Sequence, residues 1–490
     1  MLPIILLAVV VVLIVFYFQN TFTYWERKKI PSYPSPSLIT GHSKSNFANQ
    51  IVDMYKYFKN KGLKHGGFYI FHQPIYMPMD LDLLRQIITK DFDHFNEKGL
   101  YNNEKDQPIN MHLFALGGNR WKKLRVKLTP TFTSGKLKNM FPTMLDCSKP
   151  LLKAIEKSTK SKTVIDIKDV ASKFTTDIIG SCAFGIECDS FNDQKSEFHE
   201  NGKKLLTRSK LGLFKRAMGL SFPKLCRFVG MVQLPRDLEA FYTNITKDTI
   251  KLREENNIHR NDFLELLMTM RDKANPEERI NLQEIINQSF VFYVAGFETS
   301  SSVMTYALLE LSRNAEMQDK VRQEITDVLK KYNNEITYDA VHDMKYLGQV
   351  IDETLRMYPP VLVLNRACNK DYPIPGTDRV LEKDTKVFIP VLAIHHDEEF
   401  YPNPEKFDPE RFSDENKKER HPYAFLPFGE GPRQCIGLRF GYIQTKIGLL
   451  TMLKQFKFTL HPSVSYPIRF DKGLIALSPA ETILLNSTPI

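Results

Sequence analysis

Apolar residues run without interruption from the start of this chain. Met1 to Phe18 reads MLPIILLAVVVVLIVFYF and carries no charge. A helix of that length is about 27 Å long, close to the hydrocarbon thickness of a bilayer. Tyr17, Tyr24 and Trp25 fall where amphipathic rings settle at a membrane interface, and Arg27, Lys28 and Lys29 follow at once. Basic residues beside a span stay cytoplasmic, so the chain beyond residue 30 is expected to face the cytosol. A cleaved leader fits less well, because no basic stretch precedes the apolar run and no small-residue cleavage site follows it. Pro31, Pro34 and Pro36 come next and stiffen a short linker. The chain is therefore expected to divide into an anchor over residues 1–22, a basic, proline-rich linker over 23–45, and one folded unit over 46–490.

Within that unit the apolar positions recur mostly at helical spacing. Residues 81–90 and 121–127 read as helices, as do stretches of 135–160 and 170–180, most of 235–275, and 315–332, 346–357 and 438–453. Residues 282–312 form the longest apolar helical run and are expected to be buried on most sides. Short Val/Ile/Pro-rich pieces at 372–394 read as small strands and turns. The fold class is mainly α with a minor β-sheet portion.

Composition narrows the function. The chain has 490 residues, 42% of them hydrophobic, enough for a large core. Its 6 cysteines are scattered, with no C-x-x-C pair, which points to a reducing compartment and away from a disulfide scaffold or zinc. The formal net charge of +10 suits a nucleic acid, an acidic protein or a membrane surface. No nucleic-acid motif accompanies it, so the latter two remain. In a cytosolic chain the acceptor-like triplets at Asn244, Asn287 and Asn486 are chance matches. His395-His396-Asp397 has no third ligand at useful spacing and reads as a loop or strand feature.

The chemistry concentrates in FGEGPRQCIG, residues 428–437. Phe428, Gly429, Gly431, Arg433 and Gly437 surround a single thiol, Cys435. Glycines let the backbone turn tightly and approach a flat ligand. The start of the following helix and Arg433 favour a sulfur anion. A lone cysteine in a glycine turn is usually structural, but five fixed letters coincide here. In the middle of the long apolar helix, Gly296, Glu298 and Thr299 break the pattern. A missing side chain at Gly296 would let the helix approach a planar ligand, and Thr299 can bond the carbonyl four residues back. Glu353 and Arg356 share a helix face at i and i+3, and Pro409-Glu410-Arg411-Phe412 follows later. Trp121 and Arg125 share another face at i and i+4.

Together these motifs resemble the cytochrome P450 family over nearly the whole chain. The resemblance implies the P450 fold and haem b, with Cys435 as the axial thiolate ligand of its iron. It implies that Glu298 and Thr299 relay protons while dioxygen is split. Trp121, Arg125, Arg366 and Arg433 would hold the haem propionates, with Phe428, Gly437 and Gly296 beside the ring. Glu353, Arg356 and Arg411 would lock the cysteine side of the core. Electrons would come from NADPH through a separate cytochrome P450 reductase, with cytochrome b5 as an occasional second donor; no flavin or nicotinamide fingerprint is visible in the chain. Lys122, Lys123, Lys127, Arg439 and Lys446 could form a basic patch for that acidic donor. Pocket walls would include Phe114, Phe214, Phe292, Leu362 and Leu474. The texture, VAGFETSSS included, resembles microsomal arthropod enzymes that oxidise plant toxins and insecticides, which sit on the endoplasmic reticulum membrane. An endogenous lipid or hormone hydroxylase, and a P450-fold isomerase or dehydratase needing no external electrons, stay open, as does a non-enzymatic haem carrier.

Overall fold

The computed structural model describes residues 2–490 except 35, 38–39, 43–46, 194–195, 207–208 and 471–476. The N-terminal apolar run forms helix α1 (Leu2–Phe22). Its stretch Pro3–Phe22 is 0% buried against the rest of the chain and is long and apolar enough to cross a membrane. The elements that position the site follow: α2 (Phe47–Asn60), α3 (Gly118–Leu128), α4 (Ile167–Ile179), α5 (Lys210–Ser221), α6 (Pro223–Phe228), α7 (Leu282–Arg313), α8 (Lys345–Met357), α9 (Val391–His395) and α10 (Leu438–Leu453).

The central element is α7, the long apolar run. Asn281 caps its start by accepting from the Glu284 N–H, and the Glu284 carboxylate returns a bond to the Asn281 N–H. Packing against α4, α8 and α10 buries its apolar residues on several sides, so a sequence apolar all round is what such a position requires. The larger core surrounds α4, α7, α8 and α10, and a second core lies between α2 and a small sheet.

That sheet runs β1 (His65–Ile70), β2 (Gln73–Pro78), β7 (Lys386–Ile389), β4 (Leu364–Ala367). Antiparallel pairing of β4 with β7 sets Arg366 opposite Val387. A second sheet joins β3 (Ile165–Asp166), β9 (Leu484–Pro489) and β8 (Phe456–Leu460), and β5 (Tyr372–Pro373) pairs with β6 (Val380–Leu381).

Several expectations need correction. Trp25 is not an interfacial residue: it is 1% exposed, and its indole N–H donates to the Phe68 carbonyl at 3.1 Å. A Cβ on Gly67 would lie 2.4 Å from its ring, so Gly67 is the gap Trp25 fills. The linker is laid along β1 as well. The Gly67 N–H donates to Pro31 O at 2.7 Å, and the Tyr33 N–H to Gly67 O at 2.8 Å. The run 235–275 is two helices, interrupted after Asn256 where Asn257 turns left-handed at φ 50°. After β7 the chain forms α9, so His395 lies in a helical turn, not in a loop or strand. His395 is buried, and its Nε2 accepts from the Leu426 N–H at 2.9 Å. His396 Nδ1 sits 3.0 Å from Leu392 O, and Asp397 accepts from Tyr55 Oη at 2.6 Å. No metal-binding cluster occurs among the described residues.

Candidate active site

The cysteine loop leaves Phe428, makes one tight turn over Gly431–Arg433, and enters α10 at Gly437. The Cys435 N–H donates back to Phe428 O at 2.9 Å, and the Phe428 ring lies 5.3 Å from that of Tyr442. Gly429 and Gly431 take φ of 69° and 72°, so these two glycines are required by conformation. Gly437 is different: its φ is −89° and a Cβ there would meet nothing within 4 Å. Its part is played by its N–H, which bonds the Cys435 thiol and favours the anion. Burial pushes the thiol up; the Gly437 N–H, Arg125 and Lys98 pull it down.

Arg433 does not act on the thiol as its sequence position suggested. Its guanidinium lies 4.2 Å over the Trp121 ring, and it donates to Asn96 O at 3.1 Å and Leu116 O at 2.5 Å. It therefore staples the backbone of the 96–116 loop to the cysteine loop, and Trp121 is its platform.

Burial dominates the Cys435 titration, yet the residue is solvent-reachable, which places it on the wall of an interior space. On α7, Ala295 is exposed and Thr299 half-exposed, in a stretch whose other residues are buried or half-buried. Thr299 Oγ1 donates to Ala295 O at 2.7 Å, the backbone bond expected of it. Helix α10 clasps α7 at this level: Gln444 Nε2 donates to Gly296 O at 2.9 Å.

Gly296 and Glu298 turn elsewhere. A Cβ on Gly296 would sit 2.3 Å from Ile179 Cδ1, so this glycine admits α4, not a planar ligand. Glu298 also faces α4, where Lys168 Nζ donates to its Oε1 at 2.8 Å. Consecutive helical residues point about 100° apart. The acid and the alcohol consequently occupy different faces of α7 and do not touch each other through their side chains.

Four cations gather round the cysteine. Arg366 is 2% exposed, and its Nε has no partner. Burial pushes it down to about 10, and Arg433 to about 9. Burial also lowers Arg125. The fourth is Lys98, which sequence reasoning missed; its Nζ lies 3.3 Å over the Phe114 ring, and burial holds it well below the usual lysine value. Its charge is felt by Cys435 and it feels Arg366 and Arg433. No motif marks it, since it sits in an irregular loop.

A soft thiolate donor beside this many desolvated cations suits a planar metal complex bearing carboxylates. The family model for cytochrome P450 matches residues 31–486. The chain belongs to the cytochrome P450 family. Cytochrome P450 6a2 of Drosophila melanogaster is 40% identical across 98% of both chains. Cytochrome P450 6A1 of Musca domestica is 40% identical over 98% of this chain and 96% of its own length. The enzyme is thus a P450 monooxygenase, whose family implies haem with cysteine ligation. Its residues fit that group: Cys435 for the iron, and Arg125, Arg366 and Lys98 for the propionates.

The supporting triad is assembled. Arg356 Nε and Nη2 donate to the two Glu353 oxygens at 2.7 and 2.9 Å, with both side chains 0% exposed. Arg411 Nε lies 3.5 Å from Glu353 Oε1, and the Asp408 N–H donates to the same oxygen at 2.9 Å. The pocket residues divide. Phe114 meets Lys98 at the site. Phe292 packs instead on Phe263, ring centroids 3.9 Å apart, and on Phe132. Leu362 is 1% exposed within the second core. Phe214 is exposed on α5, and Leu474 lies outside the described residues.

The basic patch also shrinks. Lys446 donates to Val341 O at 3.0 Å and Met344 O at 2.8 Å, and burial pushes it down to about 8, so it is an internal cap. Lys122, Lys123 and Lys127 line a groove of about 570 Å³ with Lys273, Glu277 and Glu278.

Proposed function

We propose that this monooxygenase inserts one oxygen atom of O2 into lipophilic small molecules, xenobiotics such as plant toxins or insecticides among them. Electrons come from NADPH through cytochrome P450 reductase, with cytochrome b5 as a second donor. The observation that carries the reading is the opening on α7. Ala295 and Thr299 are accessible in the middle of a buried helix, at the level where α10, leading out of the Cys435 loop, clasps it. Haem b, held by the Cys435 thiolate, supplies the activation of dioxygen. Thr299 keeps a proton at Oγ1 beside that space, and Glu298 draws protons from the α4 side. Arg125, Arg366 and Lys98 hold the propionates, and Arg433 on Trp121 fixes the overlying loop. The exposed face of α3, with Lys122 and Lys123, receives the acidic donor.

The chain sits on the endoplasmic reticulum membrane by α1, its catalytic domain in the cytosol. Two features support a surface lying against lipid. Leu211, Phe214, Phe228 and Val229 are exposed, Phe228 by 88%. Residues 201–235 also contain no Asp or Glu.

Reconstitution with reductase and NADPH against a panel of lipophilic compounds tests the reading. Oxygenated product with matched NADPH use is expected. Rearrangement of peroxides without NADPH use would instead make it an isomerase. Cys435→Ala is expected to abolish the red-shifted carbon-monoxide band, and Thr299→Ala to retain haem while diverting reducing power to peroxide. Unchanged coupling in Thr299→Ala overturns its role.

A further inference from the structure

His112 stands in the irregular 96–116 loop, and the backbone on either side of it is tied to α7. The Asn287 amide donates to Met111 O at 3.1 Å, and Gln288 Oε1 accepts from the Leu113 N–H at 2.9 Å. The imidazole lies against the same helix, its centroid 6.2 Å from that of the Phe290 ring. Residues seven apart share a helix face, so Gln288 is on the face that opens at Ala295, about 10 Å further along the axis. The imidazole is solvent-reachable although burial dominates its titration, the combination that Cys435 shows. Both groups feel the charge of Lys98. His112 thus lines the same interior space as the cysteine.

Donors outnumber acceptors here. His112 Nδ1 accepts from the Ala115 N–H at 3.3 Å, so the proton of the neutral ring is on Nε2. Burial, with Lys98 adding to it, holds the ring down to about 3, which keeps it neutral. Nε2 has no hydrogen-bond partner among the described residues. Gln288 is 0% exposed, and with its oxygen spent on Leu113 its Nε2 is left buried without a partner. Unpaired donors of this kind are rare and call for an explanation.

We propose that His112 binds substrate by donating its Nε2–H to an uncharged oxygen, so that the site selects lipophilic molecules carrying a carbonyl, ester or ether oxygen over hydrocarbons of the same shape. The inference rests on the oxygenation of lipophilic compounds proposed above and narrows its substrate class. A hydrocarbon leaves the imidazole donor unpaired, whereas an oxygen acceptor satisfies it, and a site built this way discriminates where a purely apolar one does not. The Gln288 amide, next to Leu113, is the second donor that an oxygen-rich ligand would meet. Because residues 111 and 113 are both tied to α7, the donor keeps a fixed place relative to Ala295 and Thr299. The bond therefore also sets which part of the substrate reaches the Thr299 level.

The haem-loaded full chain tests this with cyclododecanone and methylenecyclododecane, in which a methylene replaces the carbonyl oxygen. Binding of each is read from the change in haem absorbance, without reductase or turnover. The parent is expected to bind the ketone about threefold to tenfold more tightly than the alkene, the worth of one hydrogen bond. His112→Asn keeps an acceptor for the Ala115 N–H but does not reach the place of Nε2, and His112→Phe fills the space of the ring. Each should bring the ratio of affinities close to one. His112→Gln, whose amide N–H extends to the place of Nε2, should restore a preference for the ketone. A merely structural imidazole would weaken both ligands alike and leave their ratio unmoved. A ratio near one in the parent, or a ratio unchanged in both His112→Asn and His112→Phe, overturns the proposal. A parent whose haem absorbance responds to no lipophilic compound instead removes the underlying reading of the site, a distinct result.

Discussion

Gly431 and Gly437 belong to one loop and read alike in the chain, but alanine is expected to damage the first far more than the second. Gly431 has φ of 72°, a region that costs an L-residue about 1–2 kcal/mol. Its Cβ would also lie 2.2 Å from Ile88 O and 3.0 Å from Thr89 Oγ1. The first of these is a backbone carbonyl in the wide helical turn Gln86–Lys90, so it cannot rotate aside as a side chain would. Overpacking of this kind costs about 1–3 kcal/mol. Gly431→Ala should therefore lose about 2–5 kcal/mol, by adding those two costs. At Gly437, φ is −89° and a Cβ meets only open space. The residue caps α10, and alanine there costs about 0.5–1 kcal/mol relative to glycine. The N–H bonded to the thiol survives the change. Urea unfolding of the haem-loaded protein, followed by near-UV dichroism and haem absorbance, measures both. Gly431→Ala should also blur the red-shifted carbon-monoxide band, while Gly437→Ala keeps it. A Gly437→Ala variant as damaged as Gly431→Ala would falsify the steric account of this loop.

The other predictions address charge. Arg366→Leu and Lys98→Met should each weaken hemin binding by roughly tenfold to a hundredfold, the worth of a charge-assisted bond; titration of the haem-free chain that finds parental affinity refutes their role. His65, His199 and His396 are held down to about 4 by burial. The unfolded chain takes up protons near 6.5 that the folded chain refuses until about 4. Stability should then be full above the unfolded value and fall as pH drops from about 6.5 toward 4; a urea midpoint that stays flat from pH 7 to pH 5 contradicts this. Lys122→Glu with Lys123→Glu should raise the reductase concentration needed for half-maximal turnover and blunt its salt dependence. Lys446→Met should leave that concentration alone and instead cost about 1–3 kcal/mol of stability, because three carbonyls lose their donor.

Helix positions were largely legible because burial on one side imposes a period that side chains cannot hide. Residues 282–312, 346–357 and 438–453 became Leu282–Arg313, Lys345–Met357 and Leu438–Leu453. The Glu353–Arg356–Arg411 cluster was legible through the resemblance, since its three motifs carry its geometry. What escaped was direction. Spacing says that Gly296, Glu298 and Thr299 interrupt an apolar helix, but not which neighbour each faces. Rotation of α7 against α4 decides that, and it sends Gly296 to Ile179 and Glu298 to Lys168. Trp25 misled for a related reason. An aromatic beside a span suits an interface by composition, while its actual partner, Gly67, lies in a strand that periodicity near the anchor does not announce. Phe292 and Leu362 fell to the core because an apolar residue near a site is equally at home in either place.

The cations around Cys435 tie stability to ligand. Lys98, Arg366 and Arg433 are all depressed by burial, and Arg366 keeps an Nε without a partner. Like charges gathered in a desolvated space raise the free energy of the folded chain. The carboxylates of a bound haem would reverse that sign for Lys98 and Arg366, turning mutual repulsion into charge-assisted bonds, and its iron would do the same for the thiolate that burial disfavours. A ligand that binds only the folded state stabilises it in proportion to its affinity. Residues unfavourable to this fold by themselves would thus be those through which haem stabilises it. Removing one of these cations should accordingly narrow the stability gap between the haem-loaded and haem-free chain. It should do so partly by stabilising the haem-free form, an outcome that a merely structural arginine or lysine would not produce.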